Sequence, residues 1–115
     1  MKTIGDEVMF VAVDPNADCE IALELVEAVE TLGRGVRPRG AVAFGPVLQR
    51  AGDYYGPVVN LASRVAELAV PYEILVTEEL VHAAEHWSLA FKPAGRRMLK
   101  GFEEPVSLWE LQRDD

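Results

Sequence analysis

The residue pattern predicts an α+β fold, an α/β sandwich in which helices pack on one sheet. Three observations carry that expectation. Short β-favouring runs alternate with stretches whose apolar residues recur at helical spacing. Gly, Pro and Asp punctuate the boundaries, with no linker and no internal repeat between them. The resulting order, β-β-α-β-α-β-α-β-β, gives each helix a sheet face to cover. A chain of 115 residues can enclose one core, so 1–115 is read as one domain or a piece of one.

Val8 to Val13 form a β-favouring run behind Gly5-Asp6, which is turn chemistry, so residues 1–5 and 8–13 are expected to pair as a hairpin. Asp14 and Pro15 supply an N-cap and a first helical position. Ala22, Leu25, Val26, Val29 and Leu32 then mark an amphipathic helix closed by Gly33, with Glu20, Glu24, Glu27 and Glu30 on a solvated face. Arg39 to Leu48 reads as a strand whose small residues permit close backbone approach and whose Gly45-Pro46 bends or interrupts pairing. Arg50 to Asp53 reads as a turn. Pro57 opens a second helix with the stripe Val58, Leu61, Val65 and Leu68, and Pro71 ends it. Glu73 to Val76 is a short buried strand, and Thr77 caps a third helix with Glu78 and Glu79 in its first turn. Trp87 to Phe91 alternates as a strand should, and a last strand runs from Val106 to Leu111.

The charge balance, 11 basic against 19 acidic residues for a net −8, disfavours unspecific attraction to nucleic acid or anionic lipid while permitting a local cationic pocket. Cys19 is the one cysteine and cannot form an internal disulfide; its helical position suits a packing residue. No apolar run reaches the roughly 18 to 20 residues that span a bilayer, and Met1-Lys2-Thr3 leads straight into structure. A cytoplasmic location is expected.

The segment Gly52-Asp53-Tyr54-Tyr55-Gly56-Pro57-Val58-Val59-Asn60-Leu61-Ala62-Ser63-Arg64-Val65 sets an amide and a guanidinium four residues apart near a helix start, where both project from one face. Together with Lys2-Thr3-Ile4-Gly5-Asp6-Glu7 and Leu99-Lys100-Gly101-Phe102, it resembles the catalytic domain of class III adenylate cyclases, of the compact-arm type common in actinobacteria. The resemblance implies a ferredoxin-like, palm-type domain. It also implies conversion of ATP to cyclic AMP and pyrophosphate with Mg²⁺ or Mn²⁺. Asp6 then matches a metal aspartate, Lys2 and Asp53 the adenine-reading pair, Asn60 and Arg64 the residues that stabilise the transition state, and Lys100 a lysine near the terminal phosphates. A Lys and Asp pair suits adenine because the ammonium donates to N1 and the carboxylate accepts from the N6 amine. The guanidinium of Arg64 suits an α-phosphate because its planar fork stays charged and donates twice.

The same resemblance implies a head-to-tail homodimer in which one chain gives the metal aspartates and the other gives Lys2, Asp53, Asn60 and Arg64. Family domains begin earlier, with a strand carrying a second metal aspartate in a Phe-x-Asp-x-x-Gly-Phe-type motif, and no such motif occurs here. The expectation is therefore a partial domain lacking the first strand and helices, inactive by itself. Pro46 stands where some members carry a phosphate-binding arginine. Two other readings stay open: a catalytically dead nucleotide-binding or dimerisation module, and a diguanylate cyclase relative suggested by Gly5-Asp6-Glu7. The second lacks the paired glycine and leaves Asn60 and Arg64 unexplained. His82 and His86, spaced i,i+4, are read as surface residues because no third metal ligand stands near them.

Overall fold

Alternation along the central strands decides the architecture. In the computed structural model the strand Arg39–Phe44 (β3) turns Val42 toward one core and Ala41 and Ala43 toward another, so both faces of the sheet are covered. The structure describes residues 2–4, 7–12, 14–32, 37–45, 48–50, 53–55, 57–85 and 89–113, with the backbone alone for 2–4, 7–12, 32, 48–50, 53–55 and 57. The expected α+β sandwich is what forms.

The expected hairpin is present as Lys2–Ile4 (β1) and Glu7–Ala12 (β2), antiparallel, with Lys2 opposite Met9. Strand β2 runs parallel to β3, which runs parallel to Ile74–Thr77 (β6). Val106–Arg113 (β8) and Leu89–Arg97 (β7) complete the sheet antiparallel, in the order β1-β2-β3-β6-β8-β7. Pro15–Leu32 (α1) and Glu78–Ala83 (α3) cover one face, and Pro57–Leu68 (α2) covers the other.

The first helix starts as predicted: the Ala17 N–H donates to Asp14 Oδ1 at 3.2 Å, a side-chain cap on an otherwise unpaired donor. Its core face includes Cys19, Ala22, Leu23 and Val26, which pack with Val42, Val76, Leu80, Leu89 and Leu111. Cys19 is fully buried, and burial beside Asp18 and Glu20 pushes its thiol up to about 12, which fits packing and not reactivity. Asn16 ties α1 to the end of α3 by a reciprocal pair: its side-chain amide donates to the Glu85 carbonyl at 2.5 Å and accepts from the Glu85 N–H at 2.7 Å. The acidic face is not simply solvated. Arg113 at the end of β8 reaches Glu20 at 2.8 Å and Glu27 at 2.7 and 2.8 Å, clamping α1 to the sheet.

Other expectations also need correction. The middle strand stops at Phe44, and Leu48–Arg50 (β4) pairs with Asp53–Tyr55 (β5) in a separate two-stranded ribbon, so Asp53 lies in a strand opposite Arg50 and not in a turn. A prolyl nitrogen cannot donate to a ladder, which is why β3 does not run on past Gly45-Pro46. On α2 the buried stripe is Val58, Ala62, Val65 and Ala66, continued by Ala69 just past its end, while Leu68 is exposed. Alanine's short side chain lets a helix sit close to a sheet, which suits Ala62 and Ala66 to the contact face. Thr77 precedes α3 in extended conformation without a side-chain cap bond, because its hydroxyl is buried within β6. Strand β7 continues to Arg97 through Pro93, with a register shift between Pro93 and Gly95; it is an edge strand, where proline is tolerated. The last strand extends two residues beyond Leu111, to Arg113. Gly33, Pro46, Trp87 and Ser88, named in the expectations, lie outside the described residues.

Candidate active-site cleft

The polar face of α2 is aimed by what its apolar face requires. Val58, Ala62, Val65 and Ala66 must meet the sheet, so Asn60, Ser63 and Arg64, at helical offsets of three and four, share a different side. Close seating of the helix start is built in at Gly45, where an added Cβ would lie 3.2 Å from Val58 Cγ2. Two residues beyond Val58 stands Asn60.

Across from this face lies the connection from β7 to β8. Leu99 is buried in the α2-side core and Phe102 packs against that core, so Lys100 and Gly101 between them form an exposed tip. The Phe102 N–H donates to the Leu99 carbonyl at 3.0 Å, and Gly101 has φ +90°. Asn60, Ser63, Arg64, Lys100, Gly101 and Phe102 together line an open cleft of about 530 Å³. Two cations, an amide and a hydroxyl thus face one cleft in a chain whose net charge is −8. That concentration of donors suits an anionic, oxygen-rich ligand.

Arg64 Nη1 lies 3.5 Å from Glu67 Oε2, with side chains 40% and 51% exposed. A contact that long and that wet contributes no more than about 1 kcal/mol, so the guanidinium can exchange Glu67 for a phosphate. Gly101 and Phe102 also wall a second cavity of about 770 Å³, where Glu78, Glu79, Glu103 and Glu104 outnumber Arg96. The two hollows therefore differ in sign.

Of the residues singled out from sequence, Asn60, Arg64 and Lys100 are brought together in the cationic cleft. Lys2 is placed by its backbone in β1, and Asp53 by its backbone in β5. Asp6 and His86 lie outside the described residues. His82 is on the surface, its Nε2 4.0 Å from Glu78 Oε1. Among the described residues no group of three His, Cys, Asp or Glu side chains is arranged to hold a metal ion. Ser63, Gly101 and Phe102 were not anticipated as cleft residues. The signal for Ser63 was available, since it stands three after Asn60 and beside Arg64 on the helix.

Residues 1–113 match the family model described as the adenylate and guanylate cyclase catalytic domain. The pH-sensitive adenylate cyclase of Mycobacterium tuberculosis is 41% identical over 117 residues, covering 98% of this chain and 30% of that protein. An adenylate cyclase of Glutamicibacter nicotianae is 47% identical over 75 residues, covering 65% of this chain and 19% of that protein. The chain thus spans less than a third of the length of these relatives. Among solved structures, the adenylyl cyclase CyaB of P. aeruginosa superposes with a TM-score of 0.67 at 19% identity, over 83% of this chain and 57% of that one.

Proposed function

The chain belongs to the adenylate and guanylate cyclase catalytic domain family, and from that premise we propose that it forms the nucleotide-gripping part of an adenylate cyclase, acting on ATP to give 3′,5′-cyclic AMP and pyrophosphate. The observation that carries the reading is the convergence of Asn60 and Arg64 from α2 with Lys100 from the β7–β8 connection on one cleft. In the reaction the ribose 3′-oxygen bonds to the α-phosphorus as the bond from that phosphorus to the pyrophosphate oxygen breaks. Negative charge grows on the α-phosphate oxygens and on the leaving group. Arg64 answers the first by donating from its fork, Lys100 answers the second, and the Asn60 amide holds the ribose so that its 3′-oxygen stays in line. The exposed, weakly held Arg64 guanidinium is free to make that exchange.

Asp6 is the residue we assign to a divalent cation, Mg²⁺ or Mn²⁺, which would supply Lewis-acid activation of the reacting oxygens. The 115 residues contain no second motif of the metal-aspartate type, so we read 1–115 as a partial catalytic domain that grips nucleotide without turnover by itself. A head-to-tail homodimer supplies the arrangement in which Asp6 of one protomer serves the cleft of its partner. Lys2 and Asp53 are assigned to the adenine edge.

Base choice tests the assignment. In a turnover-competent form of the protein, kcat/KM for ATP should exceed that for GTP by at least about tenfold, because guanine sets a carbonyl against a carboxylate and an N–H against an ammonium. Lys2→Glu combined with Asp53→Cys should erode the preference. Equal values for the two nucleotides in the unaltered protein would sink the adenylate reading.

A further inference from the structure

We propose that Gly101 is a positioning residue whose left-handed backbone, pinned between Leu99 and Phe102, aims Lys100 at the triphosphate end of the nucleotide. The inference rests on the cleft reading above and extends it to a residue that touches no substrate with a side chain. Lys100 and Gly101 are the two central residues of a turn closed by the 3.0 Å bond from the Phe102 N–H to the Leu99 carbonyl. Gly101, third in the turn, has φ +90°, the positive value that a type II turn requires at that position. Both ends are anchored in the core that also seats α2: Leu99 is 6% exposed and Phe102 packs against Ala62 and Val65's cluster. The tip that carries Lys100 therefore has a fixed relation to Asn60 and Arg64 on the same helix.

Space does not explain the glycine. A Cβ added at Gly101 would meet nothing within 4 Å, so a substitution there acts through backbone conformation alone. Gly95 provides the matching control. It has φ +91°, an added Cβ likewise meets nothing within 4 Å, and it lines neither cavity. The two glycines share a positive φ and open space, but Gly95 sits at the register shift inside β7 and Gly101 in the turn that carries Lys100.

The test measures binding of ATP and of AMP to the intact 115-residue chain by calorimetry, with thermal melts alongside. Lys100→Ala should weaken ATP binding about tenfold and leave AMP within twofold, because its partner phosphates are absent from AMP. Gly101→Ala should weaken ATP about five- to tenfold, again sparing AMP, since a non-glycine residue held at positive φ strains the turn and opens it. Gly101→Asn should stay within twofold of the unaltered protein, asparagine being tolerated in that region. Gly95→Ala should lower the melting temperature without changing ATP affinity, and Gly101→Ala should have no further effect once Lys100 is alanine. If Lys100→Ala weakens ATP binding while Gly101→Ala does not, the positioning role is refuted and the cleft reading stands. If Lys100→Ala leaves ATP binding unchanged, or the chain binds no ATP, the cleft reading and this inference both fall. Equal losses of ATP and AMP, or equal effects of Ala and Asn, would show a general structural role and overturn the proposal.

Discussion

On the α1 face of the sheet the core is filled by Leu23, Val26, Val76, Leu80 and Leu89, and its rim is closed where Arg113 grips Glu20 and Glu27. On the α2 face alanines at 41, 43, 62, 66 and 69 share the filling with Val58, Val65, Leu75, Leu99 and Leu108, and the rim is left open with Asn60, Ser63, Arg64 and Lys100 around a cleft. Large side chains bury more apolar surface and stabilise more, at roughly 25 cal/mol per Å². Small ones bring helix and strand close, as at Gly45 against Val58, and fix where the helix's polar face points. One face is built for stability. The other gives up burial for geometry.

The largest effect expected from that division lies in the cleft. In a turnover-competent form of the protein, Asn60→Ala and Arg64→Ala should each lower kcat about 100-fold or more, the scale seen when one donor to a charged transition state is lost. Neither should move the melting temperature much, because both side chains face the open cleft and Asn60 is exposed. Mixing an Arg64→Ala protein with an Asp6→Ala protein should restore part of the activity, since a mixed dimer keeps one site with both unaltered halves. Loss of folding in step with loss of activity would erase the distinction between the faces. Failure of complementation in confirmed mixed dimers would refute the shared site.

The core comparison gives a smaller and more direct contrast. Leu80→Ala on the α1 face removes a fully buried side chain and should cost about 2–5 kcal/mol in urea denaturation, with ATP affinity kept by the fraction that stays folded. Ala62→Leu on the α2 face should cost less, about 1–3 kcal/mol for overpacking, yet should reduce ATP affinity by tilting the helix that carries Asn60 and Arg64. If Leu80→Ala weakened ATP binding as much as Ala62→Leu, the faces would not be functionally separate.

What could be read in advance follows the same line. Asp14-Pro15 announced α1 and Pro57 announced α2, because caps and first-turn prolines act locally and the structure has them where the chain places them. The spacing of Asn60 and Arg64 was legible because a helix converts sequence offset directly into direction. The convergence of Lys100 on them was not derivable from spacing, since it depends on how β7 and β8 pair, and entered through family resemblance. The alanines of α2 were missed because hydrophobicity ranks Leu68 above alanine, whereas Leu68 is exposed and the smaller Ala62 and Ala66 meet the sheet beside Leu61. The ribbon of β4 and β5 was missed because strands of three residues carry almost no periodic signal. Arg113 as a clamp was invisible for a simpler reason: its partners lie 86 and 93 residues away.

That clamp supplies the smallest predicted effect. The Arg113 guanidinium donates to Glu27 and holds its carboxyl below the ordinary value of 4.5. A carboxylate whose folded pKa is depressed adds stability that is fully present above its unfolded value and is lost as pH falls through the folded one. Glu27 is 51% exposed and Arg113 33%, so solvent screening limits the contribution to under about 1 kcal/mol. Arg113→Met, which keeps an apolar stem against the sheet, should therefore be less stable than the unaltered chain near neutral pH, and the gap should shrink as pH drops below the carboxylate range. Denaturation curves taken from about pH 6 down to about pH 3 measure this. ATP affinity should not change, because the clamp sits on the face away from the cleft. A stability gap independent of pH would assign the effect to packing of the arginine stem and not to its charge, and a fall in ATP affinity would show that closing the α1 rim also shapes the α2 side.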